Sequence, residues 1–297
     1  MQLDSAQLTA LASILRLGSF DAAAAALGVT PSAISQRVKA LEDRVGTTLV
    51  LRGQPCTGTP TGQRLAKHAE DVALLEAQAL GVSGNTSPPR LRLAVPADVL
   101  ATWLIPALAQ IPEMLFDLVI DDQDTSADWL RRGEVSAAVT GQARAAPGCD
   151  MLALGALRYH PTASPAYVER WFADGITAEA LARAPMLTFN RKDQLQGRWL
   201  MQKIGQRLTP PSHHLPSSHG FVAAAREGLG WGMNPAPLVT EDMEMGRLVS
   251  LDDALPLDVP LYWQVARIMA PALAPLTAAI RAAAREALVQ GGVKAAP

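Results

Sequence analysis

The sequence predicts an α/β protein in three parts: a helical head with a small wing, one linker helix and a two-lobed α/β body. Three observations carry this reading. Residues 20–45, FDAAAAALGVTPSAISQRVKALEDRV, hold a helix, a tight turn and a second helix. From Thr61 to about Leu80 apolar residues recur by three and four. Beyond residue 90 short strands alternate with helices, the order that builds a parallel sheet covered by helices.

In the head, Phe20–Leu27 is an alanine-rich helix whose small side chains admit a close neighbour, and Gly28 stands where a left-handed C-cap ends it. Thr30 is placed as an N-cap and Pro31 as the first helical residue, where its missing N–H costs nothing. Ile34, Val38, Leu41 and Val45 then form one apolar stripe. The opposite face carries Ser32, Ser35, Gln36, Arg37 and Lys39, which suit phosphates and base edges in a DNA major groove. An amphipathic pair of this kind also occurs as a plain surface hairpin. The flanks favour the groove reader: Leu8, Leu11, Ala12, Ile14 and Leu15 supply a helix behind the pair, and TTLVLRGQPCTGTPTG reads as a wing carrying Arg52.

Along the run 61–80, Leu65, His68 or Ala69, Val72, Leu75 and Ala79 make a short coiled-coil seam for self-pairing, or a face packed on the chain's own domain. GVSGNTSPP, residues 81–89, is a hinge. Strands are expected at Leu91–Val95, Phe116–Asp121, Val135–Thr140, Met186–Phe189 and Leu229–Met233. Helices follow the first strand through Ala109, run from Thr125 or Ser126 to Arg132, and cover Gln194–Ile204, Phe221–Glu227 (capped by Ser218) and Ala270–Gln290.

The run SFDAAAAALGVTPSAISQRVKALEDRVGTTLVLR with TPTGQRL resembles the winged helix-turn-helix of LysR-type transcriptional regulators. The stretches TTLVLRGQPCTGTPTGQRLAKH, DVLATWLIPAL, WLRRGEVSAAVTGQ and LYWQV are similar to its LysG/ArgP (IciA-like) branch, which senses lysine and arginine and switches on their exporter. The resemblance spans the whole chain. It implies a DNA-binding head over 1–60, a dimerising linker helix over 61–80, and an effector domain over 90–297 resembling a type 2 periplasmic-binding-protein fold. Lobe I would take about 90–158 and 266–297, and lobe II about 159–265. It implies as partners double-stranded promoter DNA, a small effector that is lysine or arginine, and further copies of the chain as a homodimer or homotetramer. It also admits RNA polymerase. The chain departs from the branch at Pro96, Val99, His219-Gly220 and in YWQV.

In such a fold the ligand sits between the lobes at the carboxyl ends of strands. That places Asp98, Thr102 and Trp103 after the first strand, Asp122 (beside Asp121 and Asp124) after the second, and Asn190, Asp193, Ser217 and Ser218 from lobe II. Asp98 reads either as a ligand for an ammonium group or as an N-cap, and the acid cluster either as a cation site or as a solvated loop. Helix starts at Asp98 and Ser218 offer N–H groups to a carboxylate.

Composition bounds the rest. The 297 residues are 49% hydrophobic and 18% charged, as in a soluble globular protein. Cys56 and Cys149 are too few for a disulfide framework or thiolate zinc site, and the expected location is cytoplasmic, with no membrane partner. No cofactor, metal or enzymatic activity is expected. Gly228-Leu229-Gly230-Trp231-Gly232 lacks nucleotide-loop spacing, His213, His214 and His219 lie in a Pro/Ser-rich loop, and no nucleophile elbow occurs. The net charge of −2 implies few phosphate contacts per subunit, so tight DNA binding calls for several subunits. An architectural DNA-binding protein without effector control is the other reading of the head. A solute receptor or enzyme on the same lobes would leave residues 1–80 unexplained.

Overall fold

A computed structural model describes residues 3–80, 88–121 and 126–291. The head begins with α1 (Ser5–Leu17), capped by Asp4, followed by α2 (Phe20–Leu27) and α3 (Pro31–Val45). Gly28 ends α2 at φ +64°, and the Thr30 hydroxyl accepts the Ala33 N–H at 3.2 Å. The buried stripe Ile34, Val38 and Leu41 joins Leu11 and Ile14 of α1 and Ala23 and Ala24 of α2 in a separate core. The wing is the antiparallel pair β1 (Val50–Leu51) and β2 (Thr57–Gly58). Glu42 of α3 fixes its position by accepting the Leu49 N–H at 2.7 Å and the Val50 N–H at 3.3 Å.

The linker helix α4 (Pro60–Leu80) starts where the Thr59 hydroxyl accepts the Gly62 N–H at 3.1 Å and donates to the Thr48 carbonyl at 2.9 Å. The backbones come so close that a Cβ on Gly62 would lie 2.0 Å from the Leu49 carbonyl oxygen. The expected seam is divided within one chain. Leu65 and Ala69 pack on the head's core and Leu75 on the body's, while Leu74, outside the expected stripe, is buried in the body.

The body opens with β3 (Arg90–Pro96) and α5 (Ala97–Val99), which widens into a π turn over Leu100–Leu104 and continues as α6 (Ile105–Leu108). Then come β4 (Leu115–Asp121), α7 (Ser126–Arg131), β5 (Ala137–Thr140) and β6 (Cys149–Ala163). The chain continues through α8 (Pro165–Phe172), α9 (Ala178–Arg183), β7 (Met186–Thr188), α10 (Leu195–Ile204), β8 (Ser212–His214) and α11 (Ser218–Arg226). It closes with β9 (Gly232–Pro235), α12 (Ala236–Glu244), β10 (Val249–Ser250), β11 (Leu257–Ala266) and α13 (Ala274–Ala287).

Four findings differ from the element-by-element expectation. The passage between lobes is a 15-residue strand, β6, which pairs antiparallel along β11, so both crossings lie side by side in one seven-stranded sheet. Buried on both faces for much of its length, β6 lacks the polar alternation that marks a strand in sequence. The cap of α11 is Ser217, whose hydroxyl accepts the Gly220 N–H at 3.2 Å; Ser218 is the first helical residue. The strand expected at 229–233 begins instead at Gly232, and the last helix is Ala274–Ala287. The parallel pairing of β3 with β4 and β5 agrees with the βαβ reading.

The tight crossing at Gly62 makes one prediction. Gly62→Ala should lower head stability by about 1–3 kcal/mol. It should therefore depress the first thermal unfolding transition while leaving that of the body in place, as calorimetry can read.

Candidate functional site

The first part of the site is the exposed face of α3. Thr30, Pro31, Ser32, Gln36 and Lys39 are exposed there, and Ser35 and Arg37 are half-buried. Arg52, on the exposed wing, lays its guanidinium 5.1 Å from the Phe20 ring centroid. That cation–π contact anchors the wing cation beside the first residue of α2. Helix face, turn and wing thus present hydroxyls, an amide and cations on one head.

The second part lies where β3 ends. Asp98 follows that strand on the lobe I side, β6 brings Tyr159, and α11 brings Ser218 from lobe II. The Ser218 hydroxyl donates to Asp98 Oδ1 at 2.5 Å and the Tyr159 hydroxyl to Oδ2 at 2.9 Å. Burial pushes the Asp98 carboxyl above the usual carboxylate range; the two donated hydrogen bonds oppose that shift, and the like charge of Asp193 adds to it. Among the described residues no cation pairs with Asp98.

Around this carboxylate, Pro96, Phe189, Asp193, Arg198, Phe221 and Asn234 line a cleft enclosing about 50 Å³. That is room for a few waters. Asn234 is fully buried; its Nδ2 donates to the Thr162 hydroxyl at 2.8 Å, and its Oδ1 has no partner among the described residues. Asp193 uses both oxygens to shape its own loop, accepting the Phe189 N–H at 2.9 Å and the Leu195 N–H at 3.0 Å.

Of the residues singled out in sequence, Asp98, Asp193 and Ser218 come together in the cleft. Thr102 turns its hydroxyl back onto the Asp98 carbonyl at 2.6 Å, and Trp103 is buried in the core. Asn190 closes a turn by accepting the Lys192 N–H at 2.7 Å, and Ser217 is spent on its cap. Asp122 and Asp124 lie outside the described residues, as does most of the 81–89 hinge. Among the branch departures, Pro96 lines the cleft and Val99 is core. His219 is exposed, and Gln264 is buried away from the cleft, where it accepts the Ala146 N–H at 2.8 Å. Tyr159, Arg198 and Asn234 were not foreseen. Arg198, in the first turn of a helix entered from Asp193, was open to the strand-end argument; a buried strand Asn leaves no such signal.

A helix-turn-helix head joined to a two-lobed body with a small polar cleft at strand ends is the architecture of a ligand-responsive DNA-binding regulator. Residues 5–63 match the bacterial regulatory helix-turn-helix protein, lysR family, and residues 84–285 match the LysR substrate binding domain. HTH-type transcriptional regulator LysG of Mycobacterium tuberculosis (strain ATCC 25618 / H37Rv) is 46% identical over 286 residues, covering 95% of this chain and 94% of that protein. The crystal structure of ArgP from Mycobacterium tuberculosis superposes with a TM-score of 0.80 at 45% identity, covering 98% of this chain and 100% of the other. Full-length LysG from Corynebacterium glutamicum with bound effector Arg gives a TM-score of 0.67 at 37% identity, over 96% and 99% of the two chains. This chain belongs to the LysR family. It is a transcriptional regulator and not an enzyme.

The buried charge at Asp98 makes a prediction of its own. A carboxyl whose folded pKa is raised binds its proton more tightly when folded, so stability falls as pH rises from the unfolded carboxylate range through the folded value. Asp98→Asn, neutral throughout, should raise the thermal midpoint of the ligand-free protein at pH 7.5. The gain should shrink as the pH is lowered towards 4; a gain independent of pH would contradict the assignment.

Proposed function

We propose that this regulator binds lysine or arginine in the cleft and that occupancy alters how paired heads engage a promoter. The single observation that carries the reading is Asp98, a carboxylate taken out of water with two hydroxyl donors and no cation beside it among the described residues. Burying a lone charge is costly, and a cationic ligand group supplies the missing compensation. In this reading the ammonium or guanidinium approaches Asp98 and the free acceptor of Asn234, and the ligand's carboxylate meets Arg198. The arginine bound to the Corynebacterium glutamicum LysG supports the same class of ligand.

On the DNA side, Gln36 and the hydroxyls of Ser32 and Ser35 read base edges and phosphates, with Thr30 and Pro31 fixing the helix start. Arg37, Lys39 and Arg52 contact phosphates. The head's basic residues are nearly balanced by Asp4, Asp21, Glu42 and Asp43, so a dimer paired through α4, doubled to a tetramer, gathers enough contacts for tight binding. Among the described residues no helix is long and apolar enough to cross a membrane, and we place the protein in the cytoplasm with its promoter. Its target is an amino-acid exporter gene; the Corynebacterium glutamicum relative is named a lysine export transcriptional regulatory protein.

The decisive experiment is calorimetry of the twenty amino acids with purified protein, followed by footprinting of the neighbouring gene's upstream region with and without the binder. Arginine or lysine should bind and Asp98→Ala should abolish that binding; heat only from an uncharged or acidic amino acid would reject the reading. Because a cation favours ionised Asp98, affinity should fall as the pH drops through that group's raised pKa. Within the head, Gln36→Ala should relax preference at one base pair by about 1–3 kcal/mol. Arg52→Ala should weaken all sequences alike and reduce the salt slope by about 1. An unchanged selected binding site for Gln36→Ala, or a sequence-dependent loss for Arg52→Ala, would remove those roles.

A further inference from the structure

The linker helix reaches the body through a polar contact as well as an apolar one. On α4, Lys67 pairs with Asp71 one turn later, and both side chains are largely buried, at 12% and 16% exposure. The other oxygen of Asp71 accepts the Ser136 hydroxyl at 2.6 Å, across 65 residues of sequence. Leu74, one turn on, sinks into the body's core. Nearby Glu70 is itself displaced above the usual carboxylate range by burial and by Asp117, against the lowering influence of Arg90, Arg92 and Arg16.

What makes this contact more than a docking patch is the place of Ser136 in the sheet. It lies just before β5, its N–H donates to the Arg92 carbonyl of β3 at 3.2 Å, and its carbonyl accepts the Ala266 N–H at the end of β11 at 2.9 Å. The first of these strands runs directly into Asp98 at the cleft. The second is one of the two strands that cross between lobes and pairs with β6 along its length. A serine tied by backbone to both therefore feels any change in how those strands lie. Its side chain holds a charged pair on the helix that carries the DNA-binding head. A buried charged pair adds little net stability but accepts few alternative geometries, which suits it to fixing an angle.

We infer that Ser136 and the Lys67–Asp71 pair are positioning residues that set the angle of the linker helix on the body, and so the placement of the DNA-binding heads. This goes beyond the identity of the ligand: the contact acts in the ligand-free protein and is tested there. The variant is Ser136→Ala, which removes one hydroxyl and leaves the ion pair and the apolar contact in place. Asp71→Asn serves as a second variant that keeps the volume and drops the charge.

The experiment uses full-length protein without amino acid. Hydrogen exchange reads the amides of residues 66–76, and DNase footprinting with circular-permutation bending assays reads the protein on its own upstream region. Expected for Ser136→Ala is a tenfold or greater loss of protection confined to 66–76 and an altered footprint length or bend, with the body's thermal midpoint within a few degrees of the parent. Asp71→Asn should do the same more strongly, and the double variant should add less than the sum of the two changes. Parent-like protection and an unchanged footprint and bend in both variants would overturn the inference. So would loss of protection with footprint and bend unchanged, which would reduce the contact to simple packing.

Discussion

One carboxylate organises the body. Asp98 is held by a hydroxyl from the crossing strand and by another from the first turn of a helix in the opposite lobe. The hydrogen bonds favour its charged form while burial disfavours it, and burial is the larger influence. Such an arrangement is stable enough to exist and poor enough to be improved by a cation. In the proposed reading lobe geometry and ligand charge are thereby linked through this side chain, because Ser218 of lobe II already donates to one of its oxygens, and a ligand shifts the protein only by its differential affinity for the two arrangements.

The head is joined to this body by contacts of a different kind. Glu42 locks the wing to the recognition helix, and Thr59 with Gly62 locks the linker helix to the wing, through short bonds to backbone. These leave little freedom between α3 and α4. A change in the orientation of α4 would therefore carry α3 with it.

Much of the head was legible because its signals are local. Gly28 and Thr30 cap neighbouring helices within a few residues, Pro31 opens the second of them, and the stripe Ile34, Val38, Leu41 needs only the helical period. The parallel strands β3, β4 and β5 followed from alternation of element types. The strand β6 did not, because burial on both faces erases the alternation by which strands are read, and its partner β11 lies about a hundred residues away. The cleft was partly legible: Asp98, Asp193 and Ser218 sit at strand ends and helix starts. Thr102, Asn190 and Ser217 have the same side-chain chemistry as useful ligands, yet spend it on adjacent backbone.

The chain's linear order by itself determined the helix-turn-helix, the linker helix, the α/β texture of the body and membership of a family, all of which rest on short-range periodicity, capping and motif spacing. Tertiary structure alone decided that Tyr159 and Ser218 converge on one buried carboxylate and that Asp71 meets Ser136. It also decided that Leu74, outside the expected seam, is buried in the body beside Leu75. Each of these joins groups from 61 to 120 residues apart, or a helix to a distant core. Which polar group faces a cleft and which turns back to its own backbone is set by that long-range packing, since the local chemistry permits both.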